Sequence, residues 1–65
     1  MLNKPSEFLA EMKSIILDYE DGIISNDLCV NCLRNLHFYA CRVSGSVAMT
    51  IRENYQIIMK YKGSR

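Results

Sequence analysis

Apolar residues recur along this chain three or four apart, in three runs set off by glycine. In the first run Phe8, Met12, Ile15, Ile16 and Tyr19 share one face of a helical wheel, with Leu9 beside them. Glu11, Lys13, Ser14, Asp18 and Glu20 take the other side. Pro5 suits a first helical turn, where its missing N–H costs nothing, and Gly22 suits the left-handed residue that ends a helix. The spacing predicts a helix near 5–21, followed by a turn in which Ile23 and Ile24 tuck inward.

The second run follows a good N-cap at Ser25. Cys29, Cys32, Leu33, Leu36, Ala40 and Val43 share one face, and Asn31, Arg34, Asn35 and Arg42 lie opposite. This predicts a helix near 26–44, ended by Gly45. In the third run Val47, Ile51, Tyr55 and Ile58 line up, flanked by Ala48 and Met59 and opposed by Arg52, Glu53, Gln56 and Lys60. Ser46 can cap this helix, predicted near 47–62, and Gly63 can close it. Each glycine falls just after a predicted helix, and no proline interrupts one. Period, caps and stops therefore agree on an all-α three-helix bundle in a single small domain, 1–65. The rival is a β-hairpin over residues 36–52, because LHFYACRV and VAMTIR are rich in β-formers around Ser44-Gly45-Ser46. Alternation is poor there, with no polar residue breaking Phe38-Tyr39-Ala40-Cys41, and the helical reading is preferred.

Composition adds a constraint. A chain of 65 residues buries only about 60% of its unfolded surface. With 49% hydrophobic residues it is not a disordered chain, and its small interior cannot take every apolar side chain. Self-association, a homodimer for instance, or a covering partner is the expected consequence. A net charge of +1 gives no strong steering toward nucleic acid or membrane. No signal sequence and no apolar run long enough to span a bilayer precede or interrupt the helices, so the three cysteines are expected as free thiols in a reducing cytoplasm. The chain begins with Met and has no linker or low-complexity tail, as expected of a complete small gene product.

Cys29, Cys32, His37 and Cys41 follow the spacing C-x2-C-x4-H-x3-C. It resembles the zinc knuckle of retroviral nucleocapsid-type proteins, C-x2-C-x4-H-x4-C, but is one residue short and lacks that motif's glycines. On one helix Cys29 and Cys41 would stand about 18 Å apart along the axis, too far for one tetrahedral ion. Helix and knuckle exclude each other, and no bound metal is expected. The Cys29/Cys32 pair lies too far past the predicted cap for a helix terminus to activate it as a redox pair. Asp18 to Ser25 resembles part of a calcium loop, but with Gly22 at its sixth position Leu17 and Leu28 would fall where oxygen ligands belong.

Ala40 to Arg52 resembles the helix-turn-helix of bacterial regulators. Cys41, Gly45 and Ile51 match that pattern, whereas Ser46 and Asn54 stand where apolar residues are usual. The resemblance would make Thr50, Arg52, Gln56 and Lys60, with Glu53 among them, candidates for contact with DNA. A third feature is Phe38, set on the polar face of its helix among Arg34, Arg42 and Asn31, with Tyr39 at the border. An aromatic beside arginine is the composition of interface hot spots.

No catalytic or cofactor signature stands out. The leading expectation is a non-enzymatic protein that binds another protein through Arg34, Phe38, Tyr39 and Arg42. Its size makes it look like the compact inhibitors and regulators carried by phages and other mobile elements. A DNA-binding regulator using the last helix is the alternative, and a zinc-knuckle-like binder comes third.

Overall fold

Lys4 in extended conformation leads straight into Pro5, and from there the backbone coils into the first of three helices. The structure is a computed structural model that describes residues 3–63, with side chains through Tyr61. Helix α1 spans Pro5–Glu20, α2 spans Asn26–Ala40 and α3 spans Gly45–Gly63. No strand occurs among the described residues, so the hairpin over residues 36–52 is not formed.

At the start of α1, Glu7 Oε1 accepts hydrogen bonds from the backbone N–H of Lys4 at 3.0 Å and of Asn3 at 3.3 Å. It thereby satisfies donors that the helix itself leaves free. At its end Gly22 takes φ of +78°. Gly22 N–H donates to the Tyr19 carbonyl at 3.1 Å and Ile23 N–H to that of Asp18 at 2.8 Å. Those two bonds make a Schellman cap. In such a cap the residue after the glycine lies against the last turn of its own helix. Ile23 is accordingly 69% exposed, contrary to the expectation that it tucks inward, and Ile24 alone of the pair packs on the core.

Ser25 caps α2, its Oγ accepting from Leu28 N–H at 3.2 Å. The second boundary differs from the sequence expectation. α2 stops at Ala40 rather than near residue 44, where the N–H groups of Arg42 and Val43 tighten onto the carbonyls three residues back, Tyr39 at 3.2 Å and Ala40 at 2.9 Å. Ser44, not Ser46, then caps α3, its Oγ accepting from Val47 N–H at 3.4 Å. Gly45 is the first residue of α3, with no positive φ, and does not end α2.

The core joins Phe8 and Met12 of α1, Cys29, Val30, Leu33, Leu36 and Ala40 of α2, and Val47, Ala48, Ile51 and Ile58 of α3. Leu33 and Ile51 are fully enclosed. Burying a side chain of that size is worth about 1.5–3 kcal/mol. α2 is the middle of the fold and packs most extensively on α3. A helix flanked on both sides needs a wide apolar arc, and for that reason Val30 is buried although the single-face reading left it out. Val43, expected on the inward face, and Met59, expected to flank it, are exposed. Val43 lies in the turn beyond α2, where the helical spacing no longer aims it inward.

One polar joint links all three helices. Asn26, the first residue of α2, donates from Nδ2 to Tyr19 Oη at 3.2 Å and to the Ile58 carbonyl at 2.9 Å. The end of α1, the start of α2 and the late part of α3 therefore meet at one end of the bundle.

Candidate functional site

The outward face of α2 follows from its inward one. With Leu33, Leu36 and Ala40 in the core, residues 34 and 38 must point away from it. Arg34, Phe38, Tyr39 and Arg42 are all exposed, and the two aromatic side chains are each 63% exposed. The structure thus places all four sequence-derived candidates on the surface, but not on a single flat patch. Tyr39 borders a groove between α1 and α2, floored by Ile15, Cys32 and Leu36 and rimmed by Glu7, Glu11 and Asn35. Arg34 borders a second depression between α2 and α3, with Val30 and Met59. Phe38 stands on the ridge between them. Arg42 lies in the turn past the helix, its N–H donating to the Tyr39 carbonyl at 3.2 Å.

Phe38 does not stand alone. His37 meets its ring edge-on, with centroids 5.8 Å apart, and meets Tyr55 of α3 edge-on at 6.0 Å. Such pairs are worth about 0.5–1.5 kcal/mol beyond the area they bury. The imidazole is half-buried and its Nε2 lies 3.6 Å from the Cys41 Sγ. The contact between His37 and Tyr55 had no signal in a reading that took each helix separately. The one-turn spacing of His37 and Cys41 was visible.

The four residues of the knuckle-like spacing are dispersed by the continuous helix. Cys29 is fully buried, Cys32 is half-buried in the α1/α2 groove, and His37 and Cys41 lie toward α3. Among the described residues no three His, Cys, Asp or Glu side chains are placed to hold one ion. Burial, and then the neighbouring Cys32, push the Cys29 thiol pKa up, which keeps it protonated and unreactive.

On α3, Arg52, Gln56 and Lys60 share an exposed stripe with Glu53 beside it. Thr50 does not join them. Two residues from Arg52, it lies about 160° around the helix, and its hydroxyl donates to the Ser46 carbonyl at 3.1 Å. The turn between α2 and α3 holds no glycine, because Gly45 belongs to α3.

Further apolar side chains are exposed, among them Leu17, which the helical spacing of the first run also sets on an outer face. Ile57 and Tyr61, one turn apart on α3, are exposed, as are Ile23, Leu28 and Met59. No described helix is long and apolar enough to cross a membrane. Comparison with protein-family models, with curated proteins and with solved structures finds no match to this chain.

Proposed function

We propose that this chain is a small non-enzymatic protein that works by binding another protein through the outer face of α2, centred on Phe38. One observation carries the reading. Phe38 and Tyr39 are mostly exposed side by side, with Arg34 and Arg42 around them, on a helix whose opposite face is core. Exposed aromatics flanked by arginine are depleted from ordinary surfaces and concentrated at binding hot spots. Occluding a site on the partner is the mode of action such an exposed face suits, as in an inhibitor or regulator of the phage or mobile-element kind. Three free thiols favour a reducing compartment such as the cytoplasm.

A photo-crosslinking residue placed at position 38, and separately at position 53 on α3, tests the surface in native cells. A discrete adduct from position 38 and none from position 53 supports the reading; the reverse pattern moves the site to α3. With the partner in hand, Phe38→Ala or Arg42→Ala should weaken binding by about 2 kcal/mol or more for at least one of them. Stability should change by no more than about 0.5 kcal/mol in Arg42→Ala, and by about 0.5–1.5 kcal/mol in Phe38→Ala, which also loses the edge contact with His37. Leu36→Ala is the control for unfolding, expected to cost about 2–5 kcal/mol of stability through its cavity.

A further inference from the structure

We infer that His37 and Cys41 form half of a metal site, which a second copy of this chain completes around one zinc-like divalent ion. The inference goes beyond the protein-binding reading and stands whether or not that reading holds. It begins with a distance. His37 Nε2 and Cys41 Sγ are 3.6 Å apart. Zinc bonds of about 2.3 Å to sulfur and about 2.0–2.1 Å to nitrogen, at the tetrahedral angle, put the two donor atoms about 3.6 Å apart. The pair is one helical turn apart at the exposed end of α2, the spacing by which one helix offers two ligands to one ion. Contact with Tyr55 and Phe38 holds the imidazole on this side of the helix, and the thiol is exposed, so an ion can reach both.

Two donors leave a tetrahedral ion half coordinated. No third His, Cys, Asp or Glu is placed to join them among the described residues. A two-fold pairing of this corner supplies the same two donors again, and the set becomes two imidazoles and two thiolates. Each thiol gives its proton to solvent as it binds, so two thiolates neutralise the charge of the ion and the bridged site is neutral. A chain of net charge +1 sets little repulsion against such pairing. Val43, two residues past Cys41, is an exposed apolar group at the same corner that the second copy would cover.

The test is a titration of the full, reduced chain with Co2+, followed by absorption and by sedimentation. The expected result is a thiolate-to-cobalt charge-transfer band with intense tetrahedral d–d bands, saturating at one ion per two chains, together with a shift from monomer to dimer. Zn2+ should bleach the spectrum by displacement. His37→Gln and Cys41→Ser should each abolish both the band and the shift, with helicity by circular dichroism unchanged, since neither side chain is core. A variant with Cys29→Ala and Cys32→Ser should keep both. The inference is overturned by no thiolate band, by a band that survives Cys41→Ser, or by saturation at one ion per chain without a change in mass.

Discussion

Cys29 and Cys32 lie on α2 and Cys41 just past its end, and the three meet different environments: closed core, groove wall and open turn. The helical wheel places Cys29 and Cys32 on the inward side because that placement depends only on the period. It says nothing of how far each thiol is covered, which depends on the neighbouring helix. The same limit explains Ile23 and Val30, where a cap and a second flanking helix decide the outcome. Cys29 has a consequence that can be measured. Its raised pKa means that the unfolded chain loses this proton at a lower pH than the folded one. The resulting stabilisation is complete below the ordinary thiol pKa of about 8.5 and is lost as pH rises through the folded value. The stability difference between the wild type and Cys29→Ala should therefore shrink between about pH 7 and about pH 10. Tyrosine and lysine titrations are common to both proteins and cancel in that difference. Urea midpoints across this range check it, and a constant difference would rule out the linkage.

Among the elements, all three helices were legible in the sequence, and two of the three starts were as well. Pro5 and Ser25 are local signals and act where they stand. Glycine is a weaker sign, because it permits a left-handed residue without requiring one. Gly22 takes that role with φ of +78°, whereas Gly45 is taken into α3 once Ser44 has capped it. Alanine at the two positions should therefore act in opposite directions. A methyl group meets nothing within 4 Å at either site, so backbone conformation alone decides. Gly22→Ala should lose about 1–2 kcal/mol, the cost of a left-handed residue with a Cβ. Gly45→Ala should gain about 0.4–1 kcal/mol by restricting the unfolded chain. Thermal midpoints of the two variants separate the accounts. If Gly45→Ala destabilises as much as Gly22→Ala, Gly45 is a turn residue after all.

At the scale of the whole molecule, the three helices meet at a polar joint that no single-helix pattern could reveal. Asn26 opens α2, where a carboxylate would normally be welcome, worth about 0.3–1 kcal/mol against the helix dipole. Its role in the bundle runs the other way. The Nδ2 group is needed as a donor, to Tyr19 Oη and to the Ile58 carbonyl, while Oδ1 is buried with no partner among the described residues. Asn26→Asp would put an oxygen where that nitrogen stands, facing the Ile58 carbonyl with no proton between them. Losing a part-buried donor costs about 1–3 kcal/mol, more than the dipole returns. Asn26→Ala also loses both bonds but adds no repulsion. At neutral pH the order of stability should be wild type, then Asn26→Ala, then Asn26→Asp. Acid reverses the last step. The folded state disfavours the carboxylate, so the pKa of the introduced carboxyl group should lie above its unfolded value of about 3.9. The penalty is full above the folded pKa and fades as pH falls through it, because a protonated carboxyl can donate to the Ile58 carbonyl. Urea midpoints of the three proteins at neutral and at acid pH supply the measurement. An Asn26→Asp protein more stable than Asn26→Ala at neutral pH would mean that the helix dipole outweighs the joint, and that packing alone sets how the three helices meet.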